Sequence, residues 1–318
     1  MTNVLPAVSL AAFGVLFAAV PLPAQAPGKS SPAPVSSTSV EHAIDLAASG
    51  HCQEALPVLK KSISHVPGKE LKYRAAMATA RCAMSLNQAE SAVNALWILR
   101  RDFPNDPEVL YITTHYFSEL ATRASRELAA VAPTSYQAHE LEAEAMESQE
   151  KWDEAAAEYS GILQQNPKVP GIHYRLGRVY LSKPESPENT TNAKKELEEE
   201  LKIDPGNAAA EFMLGEIARR GEQWNPAIEH FSNAARIDDG FAEAFLALGM
   251  SLNAAQRFGD AVAPLEKYVK MLPGDPAGHY QLGIAYDRTG RKENAARELQ
   301  LQREAAAKAP TANPPAPH

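Results

Sequence analysis

The sequence predicts an all-α protein built from stacked helical hairpins, and three observations indicate this fold class. Alanine, leucine and glutamate, which favour helices, are frequent, whereas aromatic residues make up only 7% of the chain. A pattern of small and large apolar residues recurs with a period of 34 residues in the second half. Prolines such as Pro167, Pro205 and Pro273 lie near the ends of several repeats, where they prevent a helix from continuing.

Composition and charge exclude several classes of protein. The chain has 318 residues, of which 45% are hydrophobic and 22% charged, so it can bury a core. Its net charge of −8 argues against a nucleic-acid-binding protein, because such proteins normally carry an excess of basic residues. Only two cysteines are present, which excludes a cysteine-based zinc module and a dense disulfide scaffold.

The two ends of the chain are predicted to lie outside the folded domain. Residues Val4–Val20 are uncharged and mostly apolar, and Ala24–Ala26 has the small-x-small pattern of a cleavage site. Residues 1–26 are therefore predicted to be a secretory signal peptide, the alternative being an uncleaved membrane anchor. Residues 27–37 form a Pro/Ser linker and residues 310–318 a Pro/Ala tail, neither of which is expected to pack.

Four consecutive repeats share one pattern, in which the two helices of a repeat are named A and B. Helix A carries a leucine–glycine pair, and helix B carries an alanine followed four residues later by a large apolar residue. The matching residues are Leu176, Gly177, Ala193 and Leu197; Leu214, Gly215, Ala227 and Phe231; Leu248, Gly249, Ala261 and Leu265; and Leu282, Gly283, Ala295 and Leu299. This pattern resembles the tetratricopeptide repeat (TPR), which implies a right-handed superhelical solenoid of about eight helical hairpins. Each glycine is expected to let helix A approach the small alanine of helix B.

The solenoid is predicted to span residues 38–309. Its repeats are expected at residues 38–69, 70–106, 107–134, 135–169, 170–207, 208–241, 242–275 and 276–309. The third is expected to be a degenerate hairpin, because Pro104 and Pro133 are five residues closer together than the period. The fifth carries a four-residue insertion, which we place in the turn between its helices, within Ser182–Asn189.

No catalytic motif is found, so the chain is predicted not to be an enzyme and to need no cofactor or metal. His139, His173 and His279 occupy one repeat position in helix A, and they are expected to be core or rim residues rather than metal ligands. The glutamates of residues 196–200 are expected to form a solvated helix face.

The resemblance to the TPR family implies a concave groove lined by helix A of successive repeats. The groove residues that it implies are Tyr174, Arg178, Phe212, Glu216, Arg219, Arg220, Leu246, Met250, Tyr280 and Asp287. Exposed aromatic residues among them favour a contact surface for a protein or peptide segment with an apolar stripe. The alternative is that superhelical curvature buries these rings in the core.

Helix A of the fourth repeat has an acidic edge. Its glutamates are Glu140, Glu142, Glu144, Glu147 and Glu150. They would suit a basic partner, although a solvated helix face is the commoner explanation.

The two cysteines, Cys52 and Cys82, are predicted to form a disulfide. Cys52 lies near the start of helix B in the first repeat and Cys82 late in helix A of the second. These two ends meet in a TPR stack, because the two helices pack antiparallel. Export would place them in an oxidising compartment. The alternative is two buried cysteines that never meet.

The function predicted is a non-enzymatic scaffold, exported to the periplasm or cell surface of a bacterium, that binds a partner segment in its groove. The alternative is an accessory subunit that presents substrate to a separate envelope peptidase or glycosyltransferase. A catalytic domain is disfavoured, because the repeats fill residues 38–309.

Overall fold

The computed structural model describes residues 37–308, which form 15 α-helices and no strand. The predicted signal peptide, the linker up to residue 36 and the tail at 310–318 lie outside the described residues. Within the described range, no helix has the length and apolar character needed to cross a membrane. The all-α repeat fold predicted from the sequence is confirmed.

The described residues divide into two compact units, which meet between Leu120 and Ala121 in the sequence. The described helices of the first unit are α1 (Ser37–Ala48), α2 (Cys52–Ser62), α3 (Lys69–Ser85), α4 (Ala89–Asp102) and the first part of α5 (Pro107–Val131). Those of the second are α6 (Tyr136–Ser148), α7 (Trp152–Gln165), α8 (Ile172–Ser182), α9 (Pro187–Ile203), α10 (Ala208–Arg220), α11 (Trp224–Ile237), α12 (Ala242–Ala254), α13 (Phe258–Met271), α14 (Pro276–Arg288) and α15 (Lys292–Lys308). Each A helix packs against its own B helix, and within each unit B helices pack against the next A helix.

Six of the seven A–B turns in residues 37–308 end helix A with a left-handed residue. These residues are Gly50, Asn87, Glu150, Glu222, Gln256 and Gly290. In the turn after α12, the Gln256 N–H donates to the Asn253 carbonyl at 3.0 Å and the Arg257 N–H donates to the Leu252 carbonyl at 2.8 Å. This is the Schellman motif, which satisfies the last carbonyls of the helix and reverses the chain in two or three residues.

The third predicted repeat is not a hairpin. Residues Pro107–Val131 form the single helix α5 instead. The segment after Pro107 contains no glycine or proline, and no left-handed residue interrupts it. The short spacing between Pro104 and Pro133 therefore reflects one long helix, and the described residues form seven hairpins rather than eight.

The repeat glycines let helix A approach helix B closely, as expected, but the side chain nearest to each glycine is the large apolar residue of helix B. A Cβ atom built on Gly215 would lie 2.6 Å from the ring of Phe231, and one on Gly177 would lie 2.9 Å from Leu197. The glycine therefore faces the large residue of helix B, and at Gly177 the carbonyl oxygen of Ala193 also lies 3.2 Å from the position of the Cβ atom. Leu265 and Leu299 occupy the same place opposite Gly249 and Gly283.

A disulfide joins the first two hairpins. Cys52 begins α2 and Cys82 lies in the last turn of α3, and their Cα atoms are 5.0 Å apart. Bridging residues 30 apart in sequence removes freedom from the unfolded chain, which the chain-entropy model values at about 3–4 kcal/mol.

We predict opposite effects for two glycine substitutions in the second unit. Gly215→Ala should lower the free energy of unfolding by about 2 kcal/mol, because the new methyl group overlaps the buried Phe231 ring. Gly161→Ala should raise it by about 0.5–1 kcal/mol, because open space surrounds this helical position. Urea unfolding followed by circular dichroism measures both. Equal effects from the two substitutions would contradict this account of the glycine.

Candidate binding groove of the second unit

One groove of about 680 Å³ lies along the A helices α8, α10 and α12, and we call it the second-unit groove. Its apolar lining consists of Tyr180, Leu181, Phe212, Met213, Ile217, Leu246, Ala247 and Met250. Its polar lining consists of Lys183, Glu185, Ser186, Asn189, Thr190, Glu216, Arg219, Arg220 and Glu243. An apolar floor with polar groups at its edges is the usual character of a binding site for a ligand or peptide.

The floor of the groove combines core and contact residues. The Phe212 ring is half-buried, with its centroid 5.4 Å from that of Phe231 and 4.9 Å from that of Phe241. Leu246 and Met250 are also half-buried and lie one turn apart on α12. Phe212 thus packs against the core with one part of its ring and lines the groove with another, and its role as a contact residue stays a prediction.

Charges of both signs border the floor. The Arg219 guanidinium donates to Glu216 at 2.7 and 2.9 Å, and this pairing raises the pKa of Arg219 above its usual value. Lys183 pairs with Asp153 at 2.6 Å. Arg220 is exposed and has no ion-pair partner within residues 37–308. Among the described rim residues, Arg220 is therefore the cation that is free to pair with a ligand, since Lys183 and Arg219 already form ion pairs.

The four-residue insertion of the fifth repeat forms one wall of the groove. The Asn189 side chain donates to the Pro184 carbonyl at 2.9 Å, and the Asn189 N–H donates to the Ser186 hydroxyl at 3.1 Å. Ser186 is thereby the N-cap of α9, with Pro187 at the first helical position. These hydrogen bonds fix the conformation of the inserted residues, so the wall of the groove has a defined structure.

Six of the ten residues implied by the resemblance line this groove. They are Phe212, Glu216, Arg219, Arg220, Leu246 and Met250. Tyr174 and Arg178 on α8 and Tyr280 and Asp287 on α14 lie outside it, and Tyr280 is 50% exposed. Their role in binding stays a prediction. Sequence reasoning missed the wall residues, although the insertion itself was visible in the spacing.

Glutamates along the acidic edge of α6 form ion pairs with arginines of α8. Arg175 on α8 pairs with Glu140 at 3.0 Å and with Glu144 at 2.7 Å. Arg178 donates to Glu147 at 2.5 Å. These pairs tie adjacent repeats together, so three of the five glutamates serve stacking rather than a basic partner.

A buried tyrosine completes this contact. The Tyr159 hydroxyl donates to Glu147 at 2.7 Å. Burial, followed by the hydrogen bond to Glu147, raises the pKa of Tyr159 well above its usual value. The phenol therefore stays a donor at physiological pH, and it holds Glu147 in position for Arg178.

Two members of the glutamate run in α9 are not solvated, contrary to expectation. Glu200 is fully buried, and it accepts hydrogen bonds from the Gly171 N–H at 2.8 Å and the Tyr174 N–H at 3.2 Å. Glu196 lies 2.6 Å from His173 Nδ1. The reason is that free N–H groups at the start of α8 need acceptors, which Glu200 supplies from the facing helix.

A histidine–glutamate pair joins helices A and B in four of the five hairpins of the second unit. The pairs are His139–Glu158, His173–Glu196, His230–Glu211 and His279–Glu298, at 2.6–2.8 Å. In the third pair the histidine is on helix B and the glutamate on helix A. The histidines are thus core or rim residues, as expected from the sequence.

The His279 pair is the most buried of the four. Its side chains are only 6% and 5% exposed, compared with 32% and 28% for His139 and Glu158. His279 Nε2 also lies 3.1 Å from the Pro273 carbonyl oxygen. Both ring nitrogens of His279 therefore face hydrogen-bond acceptors.

His139 has a further carboxylate beside it. The ligand atoms of His139, Glu142 and Glu158 lie within 4.8 Å of one another, close enough to hold a cation. His139 Nδ1 already shares a hydrogen bond with Glu158 at 2.8 Å, and Glu142 is exposed. We assign no metal to this cluster, and the absence of a metal site stays a prediction from the sequence.

We predict that His279→Ala lowers the free energy of unfolding by about 2–3 kcal/mol, because it removes the buried hydrogen bond of Glu298 and leaves that carboxylate with only the 3.3 Å contact to the exposed Arg297. The equivalent change His139→Ala should cost less than about 1 kcal/mol, because its pair is partly solvated. Urea unfolding curves of the two variants measure the difference. Similar losses for both would show that burial does not decide the contribution of these pairs.

Comparison with known proteins agrees with this architecture. The family model for the tetratricopeptide repeat matches residues 141–189 and 246–313. No curated protein matches the sequence. Among solved structures, YrrB, described as a TPR protein with an unusual peptide-binding site, is 21% identical with a TM-score of 0.51, and the match covers 58% of this chain and 94% of YrrB.

A second solved structure, the MamA RS-1 ArsTM double mutant, is 15% identical with a TM-score of 0.50, and the match covers 55% of this chain and 97% of MamA. At these identities the likeness shows the fold alone. The family match, the helical hairpins and the glycine packing lead to one conclusion. The chain contains tetratricopeptide repeats, which the family model places at residues 141–189 and 246–313.

Proposed function

We propose that the chain is an exported, non-enzymatic scaffold that holds a segment of a partner protein in the second-unit groove. The observation that carries the proposal is the apolar strip of Phe212, Leu246 and Met250, which is partly exposed in a groove with a charged rim. Apolar side chains that line a groove and keep part of their surface in water lower the free energy when a partner covers them.

The volume and the lining residues of the groove indicate which kind of peptide segment it would bind. Its volume of about 680 Å³ accommodates several side chains, and Met213 and Met250 can adjust to their shape. An apolar stripe would lie on the floor, and polar residues beside the stripe would meet Arg220 and Glu243 at the rim. YrrB, which shares the fold, is described as having a peptide-binding site, and this supports a peptide ligand here.

The charged groups of the groove support a binding role. Glu216 is engaged by Arg219, and Lys183 is engaged by Asp153 outside the groove floor. Such pairs orient side chains at a contact surface. An accessory subunit that presents substrate to a separate envelope peptidase or glycosyltransferase would use the same groove, and the identity of the partner separates the two functions.

Export is supported by two independent features. The apolar stretch Val4–Val20 precedes a small-x-small site in the sequence. The disulfide between Cys52 and Cys82 suits an oxidising compartment, because cytosolic thiols are kept reduced. We therefore place the scaffold in the periplasm or outside the cell of a bacterium.

We predict that a photo-crosslinker at the groove floor captures a partner. Benzoylphenylalanine in place of Met250 should give a discrete protein adduct in whole cells, because the side chain points into the groove. The same substitution at Leu301, an exposed apolar residue on α15, is the matched control and should give none. Adding Leu246→Asp should lower the adduct yield at least about tenfold, because a charge on the floor opposes burial. Equal adducts at positions 250 and 301, or none at either, would refute the groove.

A second prediction tests export and the disulfide together. The chain should be recovered from the periplasm or medium with its N-terminus at Pro27, and it should show no free thiol when denatured without a reductant. Cys52→Ser should leave one free thiol and lower the stability of the first unit by about 3–4 kcal/mol. Two free thiols in the wild-type chain, or a cytoplasmic location, would contradict the proposal. Recovery with membranes and an intact N-terminus would identify an uncleaved anchor.

A further inference from the structure

The first unit has a groove of its own, with a chemistry that differs from that of the second-unit groove. It has a volume of about 430 Å³ and lies between α1, α3 and the start of α5, and we call it the first-unit groove. We propose that it binds an acidic, extended segment of a partner protein. This proposal does not depend on the function of the second-unit groove, because the two share no residue.

Two arginines of α3 line this groove on the same helix face. Arg74 and Arg81 are seven residues apart, which is two turns and about 10.5 Å along a helix. Arg74 is exposed and has no ion-pair partner among the residues that the structure describes. A free guanidinium at the wall of a groove attracts a carboxylate and can bind it through two parallel hydrogen bonds.

The second arginine has an exchangeable partner. Arg81 pairs with Glu108 at the start of α5, but the two side chains are 62% and 51% exposed. Ion pairs this exposed contribute about 0–1 kcal/mol, so a carboxylate from a ligand can share or replace the bond. Both arginines are therefore available to an acidic ligand.

Glu108 also accepts a hydrogen bond from a tyrosine. The Tyr73 hydroxyl lies 3.0 Å from Glu108 and 3.2 Å from Asp106. Burial, followed by these hydrogen bonds, raises the pKa of Tyr73 to about 12, so the phenol remains a donor at physiological pH. This bond holds Glu108 at the Tyr73 side of the groove, so Glu108 keeps a hydrogen-bond donor when a ligand carboxylate takes its place at Arg81.

Small side chains form the floor between the two arginines. Ala47 and Ala48 of α1 line the groove together with Ala78 of α3, and Met77 adds a flexible apolar side chain. Alanines leave room for a main chain to approach closely. The disulfide at Cys82, which also lines the groove, ties α3 to the α1–α2 hairpin and so preorganises the floor.

The spacing of the arginines matches one extended conformation. In a polyproline II helix, residues three apart point in the same direction and are about 9 Å apart. Glutamates at positions i and i+3 would each meet one guanidinium, with a small residue between them over the alanine floor. The ligand is therefore defined as an acidic, proline-containing segment rather than an apolar helix.

The test uses the chain from Pro27 and the fluorescein-labelled peptide PEAPEP-amide, followed by fluorescence anisotropy. The matched peptide PQAPQP-amide has the same shape without the carboxylates. We expect PEAPEP-amide to bind saturably, to weaken as salt is raised and to bind at least about tenfold more tightly than PQAPQP-amide. Equal binding of the two peptides, or no saturable binding of PEAPEP-amide at about 1 mM, would overturn the proposal.

Variants of the protein locate the site. Arg74→Gln together with Arg81→Gln should weaken PEAPEP-amide at least about tenfold. Arg236→Gln, which removes an exposed arginine from α11 in the second unit, is the matched control and should leave the affinity unchanged. Circular dichroism shows whether each variant is folded, and Arg74→Gln alone is used if the double variant is not. Unchanged binding by the folded arginine variant, or an equal loss in Arg236→Gln, would refute the first-unit groove.

Discussion

The repeat architecture depends on the close packing of a helix A glycine against a large side chain of helix B. At Gly215 the Phe231 ring occupies the space that a Cβ atom would take, and Gly177 has the same relation to Leu197. This contact brings the two helices of a hairpin together and turns their remaining apolar faces towards the neighbouring repeats. Since the positions of α8, α10 and α12 follow from it, the spacing of the groove residues does as well.

Polar contacts fix how the packed helices are oriented relative to one another. The fully buried Glu200 accepts N–H groups at the start of α8, and Arg175 and Arg178 reach the glutamates of α6. Histidine–glutamate pairs join the helices within four hairpins, with His279 the most buried. Apolar packing between helices tolerates small rotations, whereas hydrogen bonds between particular atoms do not. These contacts therefore set the orientation of the helices that carry the groove.

The two units present different surfaces to possible partners. The second-unit groove has an apolar floor with Leu246 and Met250 and a wall built from an insertion. The first-unit groove has a floor of alanines between Arg74 and Arg81, tied by a disulfide at Cys82. One repeat pattern thus carries two grooves of different lining, because the residues that pack the hairpins differ from those that face the grooves.

The sequence by itself determined the fold class, the register of the four clearest repeats and the place of the inserted turn, because these depend on local periodicity and on residues that end helices. It did not reveal that 107–131 is one helix, since a spacing between prolines does not show whether a left-handed residue breaks the segment between them. Only the tertiary structure decided that Glu200 is buried, that Phe212 is shared between core and groove, and that Arg74 has no ion-pair partner among the described residues. Those outcomes depend on which side chains of distant residues meet, and a one-dimensional pattern does not record such contacts.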